Sequence, residues 1–158
     1  TPTPSSAASD VYKRQDKLIY QLMDEVGLAR RSIFKYPHEF SGGQRQRIAI
    51  GRAVATKPEF IIADEPVSAL DVTIQAQILD LILNLVEKHN LTMLFISHDL
   101  SVVRYISDRV VVMNAGKIIE QGITEQIWEN PAKPYTQDLL SAIPFPDPIR
   151  ERKRATWL

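Results

Sequence analysis

Two short apolar runs set the frame of this chain. Phe60-Ile61-Ile62-Ala63 ends in Asp64-Glu65-Pro66, and the run from Leu91 to Ser97 ends in His98-Asp99. Runs of this length, bounded by charged and turn-forming residues, suit strands buried on both faces of a parallel sheet. Between them Ile74, Ile78, Leu81, Ile82 and Leu85 recur at helical spacing, which predicts an amphipathic helix reaching about Lys88. Strand, helix, strand is the α/β pattern, and such sheets bind ligands outside the carboxyl ends of their strands. The acidic pair and His98 both fall at such ends.

The flanking sequence adds helices and a hairpin. Leu18, Ile19, Leu22, Met23 and Val26 predict a helix starting near Lys17, with Gly27 placed as its C-terminal cap. Residues 1–15 (TPTPSSAASDVYKRQ) are polar and small without either periodicity, and read as a disordered leader foreign to the rest of the chain. Arg30 to His38 reads as a connection, because Tyr36 before Pro37 is biased away from helical angles. Ser41 is placed as the N-cap of a helix from about Gln44 to Thr56. Past His98, a short helix (Ser101 to Ile106) leads to two extended runs around Asn114-Ala115-Gly116, a predicted hairpin. Helices are expected at Ile123 to Glu129 and Tyr135 to Ile143, before a proline-rich, basic end.

Composition narrows the partners. The 158 residues amount to one domain or part of one, and 19 Lys and Arg balance 19 Asp and Glu. That balance removes the basic field used by non-specific nucleic-acid binders, so no nucleic acid is expected. With no cysteine, disulfides and thiolate metal sites are excluded within this sequence. No apolar run approaches the roughly 20 residues that span a bilayer, and no signal-peptide pattern is present.

Three places carry chemistry. Ser41-Gly42-Gly43-Gln44 opens a helix, where free N–H groups and the positive end of the dipole can meet a phosphate. Taken alone, such a turn is more often only a cap. Asp64-Glu65 at a strand end is how a nucleotide hydrolase places one carboxylate on Mg²⁺ and the other, Glu65, as general base beside the attacking water. Two exposed acids starting a helix are the bland alternative. His98 can donate to a γ-phosphate as charge develops there, although a lone histidine at a strand end is usually structural. Asp71, just before a helix, reads as an N-cap whatever else it does.

Taken together and in order, these elements resemble the nucleotide-binding domains of ABC-type ATPases. FSGGQRQR stands for the family signature, FIIADEP for Walker B with its catalytic glutamate, SALD for the D-loop and His98 for the H-loop. Phe40 stands where the signature most often begins with Leu. The resemblance implies a partial P-loop NTPase fold of the ABC type: a helical signature subdomain, the C-terminal half of the parallel-sheet core, and a C-terminal extension. It implies ATP and Mg²⁺ as cofactors, with Asp64, toward the metal, and Glu65 acting on ATP held in cis, and His98 as a γ-phosphate contact. Ser41, Gly43 and Gln44 would approach the γ-phosphate of ATP bound to a facing subunit, with Gly42 among the nucleotide-binding residues of the same turn, and Asp71 would communicate across that interface. The implied partners are a second ABC ATPase subunit, two transmembrane permease subunits and, through them, an extracytoplasmic substrate-binding protein. The implied place is peripheral, on the cytoplasmic face of the cell membrane.

One family element has no counterpart. Nothing in the sequence matches G-x-x-x-x-G-K-[ST], whose amides and lysine hold the phosphates in P-loop enzymes. The chain is therefore expected to be the C-terminal part of an ABC ATPase, inactive alone, with residues 1–15 as leader, 16–122 as ATPase domain and 123–158 as a truncated extension. Asn130-Pro131-Ala132-Lys133-Pro134-Tyr135-Thr136 and the residues to Pro144, with YPHEFSGGQ and Pro146-Asp147-Pro148, resemble the oligopeptide and dipeptide importer ATPases, the F-type subunit in particular. Lys133 replaces the His common before Pro-Tyr. Family members usually continue into a cysteine-containing tail. Alternatives are an importer ATPase for nickel or glutathione, since the extension does not encode cargo, and a catalytically incomplete interaction module. The Arg150 to Arg154 charge run reads as a solvated segment.

Overall fold

Apolar periodicity and capping residues coincide along most of the chain, and where they do a helix forms. The computed structural model describes residues 6–143, which divide into two units after Ile96. The proline-rich and basic residues from Pro144 onward, including the Arg150 to Arg154 run, lie outside the described residues, as do the first five of the expected leader.

The first unit holds helix α1 (Ser6–Glu25), single-turn 3-10 helices at Arg30–Phe34 and Pro37–Glu39, α2 (Gly42–Val54), strand β1 (Phe60–Asp64), α3 (Val72–His89) and β2 (Thr92–Ile96). Strands β1 and β2 pair in parallel, Phe60 opposite Thr92 through Asp64 opposite Ile96. Helix α3 is the crossover between them. Its buried residues Ile78, Leu79, Ile82 and Leu85 form one stripe, joined in the core by Val26, Leu28, Phe40, Val54 and Val67. Helices α1 and α3 close alike. The Gly27 N–H donates to the Asp24 carbonyl and the Leu28 N–H to that of Met23. At the end of α3, Asn90 and Leu91 do the same to Glu87 and Val86, with Asn90 left-handed at φ 50°. The two helix ends meet through Glu25, which bridges Lys88 at 2.7 Å and His89 at 3.3 Å. The hydrogen bond from Lys88 holds the Glu25 carboxyl below the usual carboxylate range.

Two expectations are corrected by the structure. The helix expected from Lys17 begins at Ser6, so residues 6–15 of the expected disordered leader are helical. Ala7, Ala8, Lys13, Arg14 and Gln15 are strong intrinsic helix formers, and a search for apolar periodicity does not see a helix built on propensity. Nor is the parallel sheet buried on both faces. Ile61, Ala63 and Met93 line a cavity of about 230 Å³ with residues of α2 and α3, and Ile62 also borders it, yet Phe60, Ile62, Leu94 and Ile96 are 43 to 61% exposed. Among the described residues of this unit, helices cover one face only.

The second unit holds α4 (Leu100–Ile106), β3 (Arg109–Asn114), β4 (Lys117–Ile123), α5 (Thr124–Glu129) and α6 (Pro134–Ser141). Strands β3 and β4 are the expected antiparallel hairpin, with a bulge between Val112 and Met113. Val110, Val112 and Ile127 are its core, packed against by Val103, Trp128 and Leu139. Thr124 is buried with its Oγ1 donating to the Ser107 carbonyl, which ties the start of α5 back to the turn after α4. The extension is held by Glu120 of β4, whose carboxylate accepts from the backbone amides of Ala132 (2.7 Å) and Lys133 (3.2 Å). The Thr136 hydroxyl and these amides hold the Glu120 carboxyl below its ordinary range. Pro134 then starts α6, where its missing N–H is of no consequence.

Candidate functional site

Ser41 stands before the first turn of α2 in extended conformation. Its Oγ accepts from the Gln44 N–H at 3.3 Å, and its own N–H donates to Gln44 Oε1 at 3.1 Å, a capping box. The box uses an acceptor on each side chain and neither side-chain donor: the Ser41 O–H and the Gln44 NH₂ take no part in it. Gly42 and Gly43 contribute the first two N–H groups of the helix, which an α-helix leaves without intrahelical acceptors. The turn is thus a cluster of donors at the positive end of a helix dipole, matched to an anion rich in acceptor oxygens.

Packing gives Gly43 a second reason to be glycine. A Cβ there would lie 2.5 Å from Ile74 Cγ2, and one at Gly42 would lie 3.6 Å from Leu70 Cδ2. The Ser41 turn is therefore seated on the segment that leads into α3. Two arginines fix it from behind. Arg45 donates to the Phe40 carbonyl at 2.9 Å, and Arg47 to the Val26 carbonyl at the end of α1 at 2.8 Å. Neither arginine has a role that motif spacing assigns; for Arg45 the signal is a cation one turn past a cap, within reach of the carbonyl before it, whereas the partner of Arg47 lies 21 residues away and leaves no local signal.

At the end of β1, Asp64 is exposed and Glu65 is partly buried. Glu65 leaves the strand in the left-handed region at φ 49°. For a residue other than glycine this conformation costs on the order of 1 to 3 kcal/mol and persists where its surroundings hold it. The Glu65 N–H donates to the Ile96 carbonyl at 2.9 Å, extending the pairing with β2 by one residue. Its carbonyl accepts from Ser68 Oγ at 3.1 Å. The chain then turns through Pro66 to Asp71, which caps α3 by accepting from the Ile74 N–H at 3.0 Å. Asp71 has its expected structural duty, whatever it does besides.

His98 belongs to the second unit and is exposed, two residues past the end of β2. The turn around it is fixed by Asp99, whose N–H donates to Ser97 Oγ at 3.0 Å and whose carboxylate caps α4 through the Ser101 and Val102 amides. Among the described residues no three His, Cys, Asp or Glu side chains gather to form a metal cage. One exposed carboxylate at a strand end suits Mg²⁺ all the same, because that ion is usually held by one or two carboxylates together with substrate phosphates and water.

The order of these elements matches known proteins. The family model for ABC transporters matches residues 3–68. Over 140 residues, 89% of this chain and 45% of the relative, the sequence is 58% identical to the dipeptide transport ATP-binding protein DppF of Lactococcus lactis. The chain is a homologue of peptide transport ATP-binding proteins of ABC transporters. It is also 56% identical to the oligopeptide transport ATP-binding protein OppF of Bacillus subtilis, over 90% of this chain and 47% of that one. The chain spans about half the length of these curated relatives.

Solved structures agree on the architecture. An ATP-binding cassette of an ABC transporter, in its ADP conformation, superposes with a TM-score of 0.68 at 25% identity, covering 90% of this chain and 58% of the other. A metal-chelate type ABC transporter in an inward-facing conformation gives a TM-score of 0.69 at 28% identity, covering 90% and 51%. The structure is a partial ABC ATPase fold, mixed α and β. Among the described residues no helix is long and apolar enough to cross a membrane.

Proposed function

We propose that this chain is part of the ATP-hydrolysing subunit of an ABC importer that takes up oligopeptides or dipeptides. The observation that carries the ATP part is the Ser41 turn, where a capping box and two leading glycines present donors at a helix N-terminus. The peptide part follows the names of the relatives. Ser41, Gly43 and Gln44 meet the γ-phosphate of ATP on a facing subunit, and Asp71 lies on that interface. Asp64 would hold Mg²⁺, which when bound would polarise phosphoryl oxygens and offset their charge. Glu65 orients the attacking water and takes its proton, and His98 donates to the γ-phosphate. The partners are a second ATPase subunit, two permease subunits and an extracytoplasmic binding protein. The subunit sits at the cytoplasmic face of the membrane.

The purified 158-residue chain is expected to turn over no ATP, because its sequence contains no phosphate-holding G-x-x-x-x-G-K-[ST] loop. The importer assembled with a subunit carrying this sequence is expected to hydrolyse ATP and accumulate labelled dipeptide or oligopeptide in vesicles. Glu65→Gln should lower both by about 10²- to 10⁴-fold, the usual contribution of a general base. Uptake of nickel or glutathione with no uptake of peptide would assign the cargo to the alternative. Steady hydrolysis by the 158-residue chain alone would refute the division of labour.

A further inference from the structure

We propose that Ser68 is a positioning residue for Glu65, holding the glutamate in the left-handed turn from which it meets the attacking water. This rests on the reading of Glu65 as general base. The conformation of Glu65 is disfavoured twice, once by its φ of 49° and again because Pro66 follows it and crowds the residue before. Such a residue stays where it is only if its peptide groups are held. The N–H is held by the Ile96 carbonyl at 2.9 Å. The carbonyl is held by Ser68, through the backbone N–H at 3.4 Å and the hydroxyl at 3.1 Å.

Any residue but proline at position 68 would supply the longer, weaker backbone bond. Only Ser or Thr supplies the hydroxyl. Val67, 2% exposed, anchors the turn in the core, while Ser68 is itself exposed, so its side chain contributes this bond in place of burial. Removing the hydroxyl leaves the core intact and loosens one side of the clamp. The carboxylate then samples directions away from the water it must orient, and a displacement of about 1 Å in a catalytic group can cost 10²-fold in rate.

The test uses the assembled importer, with ATP hydrolysis and the thermal midpoint of the purified subunit measured on the same preparations. Ser68→Ala is expected to lower kcat at least tenfold while leaving KM for ATP and the thermal midpoint within error of the parent. Ser68→Thr, which keeps a hydroxyl in reach, is expected to restore kcat to within threefold. In a Glu65→Gln background Ser68→Ala should cause no further loss. A Ser68→Ala importer that turns over at the parental rate, beside an inactive Glu65→Gln, overturns the positioning role and leaves the general base in place. An unchanged Glu65→Gln rate overturns both. A loss of kcat in Ser68→Ala that Ser68→Thr does not restore also overturns the proposal, because the hydroxyl would then not be what acts.

Discussion

Position 43 is where packing and function press on the same atom. Alanine would place a methyl group 2.5 Å from Ile74 Cγ2, closer than side-chain carbons approach one another, so α2 and the start of α3 must separate. Gly43→Ala is expected to destabilise the first unit by about 1 to 3 kcal/mol, the usual cost of overpacking. Ile74→Ala removes the opposing atom at a packing cost of its own, so in urea unfolding the double variant should lose less than the sum of the two single losses. Additive losses would show that Gly43 is glycine for another reason. The sequence showed Ser41 and Asp71 as caps because a cap is a local event: one side chain bonds an amide two or three residues on. It showed glycines at 42 and 43 without saying what approaches them, because Ile74 is 31 positions away. The left-handed turn of Glu65 was likewise not legible. It depends on the Ile96 carbonyl, which only pairing with β2 brings near.

At the scale of elements, what periodicity or turn chemistry specifies was readable. That covers α3, both parallel strands, the hairpin and the two C-terminal helices. The residues that lengthen α1 were not readable, because they form a helix by propensity without a repeating apolar face. The hairpin shows local chemistry that is right but not optimal. Its two central residues, Ala115 and Gly116, have φ of 47° and 74°, the double left-handed pattern of a type I′ turn. Glycine takes this freely, whereas alanine resists it by roughly 1 to 2 kcal/mol, and asparagine resists it least among residues with a side chain. Ala115→Asn is expected to stabilise the second unit by about 0.5 to 1 kcal/mol, on the basis of that difference. Urea midpoints with an unchanged m-value would report it. A lower midpoint would mean that the alanine methyl makes a contact the turn depends on.

The molecule as a whole carries one inconsistency with the rules of its own fold. Parallel sheets occur almost only with both faces covered, yet Phe60, Ile62, Leu94 and Ile96 stand 52, 61, 47 and 43% exposed on one face of β1 and β2. Sequence showed that these residues suit burial, and it could not show whether these 158 residues include what buries them. The chain spans about half the length of its curated relatives, and completing it with the unmatched part of one of them tests whether that part covers the face. The isolated chain should then associate through its apolar surface and through the unpaired edges of its short sheet. Ile62→Lys with Leu94→Lys is expected to raise its soluble concentration several-fold and leave its thermal midpoint unchanged, since both side chains are already half in water. The same pair in a chimera completed with the remaining half of the Lactococcus lactis relative should have the opposite effect. There it would bury two unpaired ammonium groups and cost about 3 to 5 kcal/mol, the penalty of an uncompensated buried charge. Size-exclusion chromatography and urea unfolding on both proteins separate the outcomes. If the pair is harmless in the chimera, that face is solvent-exposed there as well, and the apolar strand residues require a different explanation.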